Sequence, residues 1–163
     1  MSYIGKTTTN GSAMGTFNAD VNFTGIVATQ GLVYETVNTA TQTSTNAPTL
    51  SYGVGGDFVL GTMITAAGVT LGVTNIPTDT TKSYTFSVSY QQNTTRYYIA
   101  TVQIQDTTGA YITNSGSAGF VAPLWNGGTP SLTGTTNCVI IQTFTIISVG
   151  GSRRVVSSIS CCS

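Results

Sequence analysis

Residues 83–90 read SYTFSVSY, and this stretch decides the fold class. Tyr84, Phe86, Val88 and Tyr90 take every second position, while Ser83, Thr85, Ser87 and Ser89 fill the others. Successive side chains of a strand point to opposite faces. Strict period two therefore describes a strand with one face on a core and one face wet. The wet face is built from Ser and Thr, and threonine is β-branched, so it favours strands while its hydroxyl stays solvated.

Working outward, residues 91–95 (QQNTT) form a polar connection. A second alternating run follows, with Tyr98, Ala100, Val102 and Ile104 set against Tyr97, Ile99, Thr101 and Gln103. The two runs predict an antiparallel pair joined by a short polar loop. Asp106 to Gly109 turns the chain. Upstream, Phe58–Val59–Leu60 follows a Gly-Gly break, and Val69, Leu71 and Val73 alternate up to Asn75-Ile76-Pro77. Downstream, residues 113–136 are rich in Gly, Pro and Asn and read as a long loop, or a short strand between two loops. Residues 138–148, CVIIQTFTIIS, are apolar on both faces in their first half, which predicts a central or sandwiched strand. Gly150-Gly151 supplies a tight hairpin turn, and residues 153–160 return as the last strand. No segment sustains a 3.6-residue period over three turns. Short strands with turn signals about every ten residues predict an all-β fold, a β-sandwich of jelly-roll-like type, over residues 46–163.

Residues 1–45 differ. They are rich in Thr, Asn and Gly and sparse in large side chains. Phe17, Ala19, Val21 and Phe23 alternate with polar residues in one short strand pattern, and residues 32–37 suggest another. Residues 38–48, NTATQTSTNAP, carry no apolar anchor larger than alanine and read as a linker or extended arm. So few apolar groups build no core. The region is expected to be an extended N-terminal attachment arm or short shaft, with Phe17, Val21 and Phe23 as docking anchors; the alternative is a mobile tail.

Charged residues are 6% of the 163-residue chain, against roughly 25% in an average soluble protein. The five cations and five anions are scattered, so neither a nucleic-acid footprint nor a polybasic membrane patch is present. A near-neutral surface favours association. Residues 1–10 lack the apolar stretch of a signal peptide, and no segment reaches the ~18 apolar residues of a membrane span. Neither general export nor membrane insertion is expected.

The chain contains no histidine. That removes the usual general base, the commonest metal ligand, and the Ser-His-Asp and Cys-His arrangements. Cys138, Cys161 and Cys162 match no zinc spacing. Cys138 reads as a small buried hydrophobe, and the terminal pair as reduced thiols or interchain bridges. Asp57, Asp79 and Asp106 lie in or beside turns, where aspartate hydrogen-bonds its own backbone; no calcium-loop spacing accompanies them. Catalytic residues, cofactor sites and metal sites are all expected to be absent. Tyr84 and Tyr90 read as core residues with their hydroxyls at the rim. Arg153 and Arg154 fall on opposite strand faces and are expected to be solvated. Trp125, the single tryptophan, sits in the long loop. It is either a glycan-stacking platform or buried beneath the loop.

The runs YTFSVSYQQNTTRYYIATVQIQD (84–106), FVAPLWNGGTPSLTG (120–134) and CVIIQTFTIISVGG (138–151) resemble a β-rich module in structural proteins of marine tailed phages, cyanophages especially. The opening MSYIGK resembles the start of phage fibre proteins, and ADVNFTGIVATQG (19–31) resembles their short β-repeat shafts. The resemblance implies a non-enzymatic virion structural protein on the virion surface. It would be a capsid decoration, head fibre, or short neck or tail fibre, attached by its arm to other virion proteins. It further implies a homotrimer. A carbohydrate-binding module recognising a host surface glycan at a fibre tip is the alternative.

Overall fold

The computed structural model describes residues 37–40, 48–60, 69–92, 97–112, 119–130 and 138–162, all within the unit formed by Glu35–Ser163. These residues form ten strands: β1 Val37–Ala40, β2 Thr49–Ser51, β3 Asp57–Leu60, β4 Val69–Ile76, β5 Tyr84–Gln91, β6 Ile99–Asp106, β7 Tyr111–Ile112, β8 Leu124–Trp125, β9 Val139–Val149 and β10 Ser152–Cys162. A single 3-10 turn, Tyr52–Val54, follows β2, and no α-helix occurs among the described residues.

Two sheets pack face to face. One has six strands in the order β1-β3-β5-β9-β10-β8, the other four in the order β2-β4-β6-β7. The predicted all-β sandwich is what forms. Its winding refines the jelly-roll likeness. From β1 to β6 the chain alternates between sheets, so β1, β3 and β5 run parallel in one and β2, β4 and β6 run parallel in the other. Parallel neighbours need a long crossover. Here each crossover is a strand of the opposite sheet. Antiparallel pairing enters only afterwards, in β5–β9, β9–β10 and β6–β7.

This corrects the hairpin expected between residues 83–90 and 97–104. β5 and β6 lie in different sheets, with their apolar faces towards each other. The alternation is as expected in β5, where Tyr84, Phe86, Val88 and Tyr90 are all buried. In β6 the inward phase changes. Ile99, Val102 and Ile104 are fully buried, and Val69–Thr70 of β4 pairs with Ile99 and Thr101, leaving Ala100 as a bulge. The extra residue lets Ile99 and Val102 both face the core. β4 has a matching irregularity between Val73 and Ile76. Asn75 there adopts φ 62° and donates from Nδ2 to Ser51 Oγ at 2.8 Å. Asparagine tolerates this left-handed conformation better than most residues.

The buried aromatic rings lie on the six-stranded side, interleaved with aliphatic residues, and the other side is aliphatic. Phe86 stacks on Phe144 at 5.1 Å between centroids, and Phe58 meets Phe86 edge-on at 6.5 Å. Facing them are Leu71, Val73, Ile76, Ile99, Val102 and Ile104, each fully buried. Cys138 is buried, as expected. The β9–β10 hairpin turns on Gly150 and Gly151 with φ 58° and 78°, the two positive values that a type I′ turn requires.

The linker reading of residues 38–48 is corrected at its start. Asn38, Thr39 and Ala40 belong to β1, which pairs in parallel with β3. Their weak apolar content suits an edge strand, which adds backbone pairing while burying little. The remainder of the arm, with Phe17, Val21 and Phe23, lies outside the described residues.

Candidate binding and assembly surfaces

The end of β5 and the start of β6 are held by side-chain amides. Two fully buried glutamines supply them. The Gln92 side-chain Oε1 accepts from the Tyr97 backbone N–H at 2.7 Å, and its Nε2 donates back to the Tyr97 carbonyl. The Gln142 side chain repeats the arrangement one residue further from Tyr97's neighbour: Oε1 accepts from Ile99 N–H, and Nε2 donates to the Ile99 carbonyl, each at 3.0 Å. Each amide supplies the donor and acceptor that a neighbouring strand would supply. This satisfies backbone groups that burial would otherwise leave without partners. Gln142 Oε1 also accepts from the Tyr90 hydroxyl at 2.9 Å, and its Nε2 donates to Ser157 Oγ at 3.2 Å. Ser157 Oγ in turn donates to the Thr143 carbonyl. The network is closed. The Tyr90 hydroxyl is therefore interior, not at the rim as expected, and burial pushes its phenol well above the ordinary value. Tyr84 does reach the rim, donating to the Asp79 carbonyl at 2.9 Å.

Tyr98 lies between the two clasped residues, so its backbone position is set on both sides. Its ring meets Trp125 edge-on, with centroids 5.1 Å apart and planes at 87°. Trp125 is presented by β8, which pairs in parallel with β10 through Leu124–Val156 and Trp125–Ser157. The Asn126 backbone N–H donates to the Ser157 carbonyl and extends that pairing. Trp125 thus sits on a short strand, half-buried against Tyr98. The sequence points to Trp125 and to Tyr98 within the cluster Tyr84, Tyr90, Tyr97 and Tyr98, but not to the contact between these two rings or to the two glutamines. The available signal was Gln142 itself, a polar residue in the inward phase of the apolar run VIIQTFTII.

Asp79 and Asp106 are committed to turns. Asp79 Oδ1 accepts from the Thr81 N–H at 2.9 Å and the Thr81 hydroxyl at 2.6 Å, and its other oxygen lies 3.3 Å from Lys82 Nζ. Asp106 Oδ1 accepts from the Thr108 N–H and hydroxyl at 2.9 and 2.6 Å and from the Ala110 N–H at 3.1 Å. The Thr81 and Thr108 hydroxyls lead in holding both carboxyls below the usual range. These bonds close local turns, Asp79 between β4 and β5 and Asp106 at the end of β6. Asp57 opens β3. Among the described residues no group of three His, Cys, Asp or Glu side chains is placed to hold a metal.

Arg153 departs from the solvated reading. It is half-buried, donates from Nη2 to the Pro77 carbonyl at 2.9 Å, and lies 5.6 Å from the Tyr84 ring centroid. Register does place Arg153 and Arg154 on opposite faces of β10, as expected.

The outer faces of the two sheets are unlike. The four-stranded sheet turns Thr49, Ser51, Thr70, Thr101, Gln103 and Gln105 outward, with Tyr111 as its one large exposed apolar side chain among the described residues. The six-stranded sheet turns out Val37, Val59, Leu124, Val139, Ile141 and Val149, all exposed. These are six of the nine exposed large apolar residues described, the others being Val54, Tyr111 and Phe120. Between them stand Thr85, Ser87, Ser89, Thr143 and Thr145. β9 is central, as its composition predicts, yet Val139 and Ile141 of its outward face are exposed.

No protein-family model matches the chain, and neither a curated protein nor a solved structure matches it.

Proposed function

We propose that the chain is a non-catalytic structural protein of a phage virion, a surface appendage that assembles as a homotrimer. In this reading the N-terminal arm attaches to a capsid, neck or tail protein, and the sandwich is displayed. The observation that carries the reading is the gathering of exposed apolar side chains on one sheet face. Exposed apolar side chains concentrated on one face mark an interaction surface, and a permanent assembly covers it. The sequence resemblance to cyanophage appendage proteins supports the virion context. The absence of histidine and the turn-bound aspartates support a non-catalytic role.

Co-sedimentation with virions tests the attachment. β1 belongs to the sandwich, so the deletion must stop before it. Removing residues 1–34 is expected to abolish particle binding while the sandwich still folds. A truncated protein that decorates particles as well as the full chain refutes the attachment role.

The Tyr98–Trp125 pair favours a second reading, recognition of a host surface glycan. Half-exposed rings with polar tips stack against sugar faces and hydrogen-bond their hydroxyls. Glycan-array binding lost in Trp125→Ala supports it, and unchanged binding removes Trp125 from the site.

A further inference from the structure

We infer that the outward face of the six-stranded sheet is the surface through which copies of this chain meet, its occupant being a second copy. The inference rests on the assembly reading above and keeps its self-association, not its trimeric count, because one face meeting its own copy is a two-fold contact.

The first observation is the segregation itself: among the described residues, six exposed large apolar side chains on one sheet face against one on the other. The second is the condition of the polar groups among them. The Thr85 and Thr145 hydroxyls bond each other across β5 and β9 at 3.1 Å, and those of Ser87 and Thr143 at 3.4 Å. Hydroxyls already paired within the face lose little when water leaves. The outward positions of β5 and β9, the two middle strands, carry no charge; Asp57 and Arg154 stand on the flanking strands β3 and β10. Charge is what most opposes desolvation, and the centre has none.

The third is size. At ~4.8 Å between strands and ~3.3 Å per residue, the strands β3, β5, β9 and β10 span a face of roughly 540 Å². Two such faces together bury roughly 1,100 Å², which clears the ~1,000 Å² that a specific interface needs. A second copy fits this face without further requirement. Uncharged rows of Thr, Ser, Val and Ile meet like rows with no repulsion, whereas a neutral centre offers no charge pattern by which to select a different partner.

Sedimentation velocity of the full chain tests the inference, comparing wild type with Ile141→Lys, Ile141→Thr and, on the opposite sheet, Gln103→Lys. Wild type is expected to sediment as an oligomer. Ile141→Lys places a charge on the outward side of β9, a middle strand of the face, and is expected to weaken self-association by roughly a hundredfold or more. Ile141→Thr keeps strand propensity and matches its neighbours, so it retains the fold and weakens assembly less. Gln103→Lys is expected to change nothing. A folded Ile141→Lys protein that still assembles overturns the choice of face and leaves assembly standing. A monomeric wild type overturns both. Should Ile141→Lys fail to fold, Ile141→Thr and a photo-crosslinker at position 141 decide. Adducts joining two chains through β5, β9 or β10 support the inference. Adducts to residues 1–36 of the same chain, or to a different virion protein, overturn it.

Discussion

Replacing Gln142 by leucine tests whether two buried amides hold the passage between the sheets. Leucine is close in volume and suits the surrounding core, so packing changes little. What disappears is the amide. The Ile99 N–H and carbonyl lose their bonds at 3.0 Å, and the Tyr90 hydroxyl loses its acceptor at 2.9 Å. Ser157 Oγ keeps its bond to the Thr143 carbonyl and is not orphaned. Three buried groups are left wanting, and each costs about 1–3 kcal/mol when unsatisfied. Partial relaxation and the apolar gain of leucine offset some of this. The expected loss is about 3–6 kcal/mol, a large part of the ~5–15 kcal/mol that holds a domain together. Denaturant unfolding followed by fluorescence of the single tryptophan, Trp125, measures it. Tyr90→Phe removes one donor and leaves the glutamine clasp intact, so about 1 kcal/mol is expected. In the Tyr90→Phe background the leucine substitution has one fewer group to orphan and is expected to cost less, a coupling that a double-mutant cycle reads directly. A Gln142→Leu protein within about 1 kcal/mol of wild type would show that the Ile99 backbone is satisfied in some other way and that the amide does not hold it.

Two further outcomes follow from the same structure. Phe144→Ala removes the ring stacked on Phe86 and is expected to cost about 3–5 kcal/mol by thermal or chemical denaturation, unlike Thr143→Ala on the outer face, which stays near neutral. Asp106 is held below the ordinary carboxylate range, first by the Thr108 hydroxyl and further by the Thr108 and Ala110 N–H groups and Arg153. The folded form keeps it ionised where the unfolded chain takes up a proton, so its contribution is fully present above about pH 4 and is lost as pH falls through and below that value. Asp106→Asn keeps the turn but cannot ionise, and stability measured from neutral pH down to about pH 2 should fall less steeply; parallel curves would remove the Asp106 carboxylate from acid denaturation.

The residues that were legible in advance share a property: their signal is local. The alternation of 83–90 is satisfied by β5 residue for residue. Gly150-Gly151 made its hairpin because two adjacent glycines accept the positive φ that a tight turn demands. Asp79 and Asp106 closed turns onto threonines two residues away, a bond that needs no distant partner. Illegible were the bulge at Ala100 and the burial of Arg153, since each depends on what another strand presents.

Composition and alternation were enough to read a β protein without histidine, its longer strands, and the inward side of β5; β1, β2 and β7 were not readable in advance. Period two specifies a face because the pleat alternates side chains, whatever lies beside the strand. It does not specify a neighbour. Residues 83–90 and 97–104 read as a hairpin, yet only the tertiary structure decided that they lie in opposite sheets with their apolar faces together. Both arrangements bury the same alternating residues, so the pattern cannot tell them apart. The choice is made by Gln92 and Gln142, whose amides complete the backbone of Tyr97 and Ile99 once the sheets are stacked, and by side chains that meet across more than forty positions of sequence.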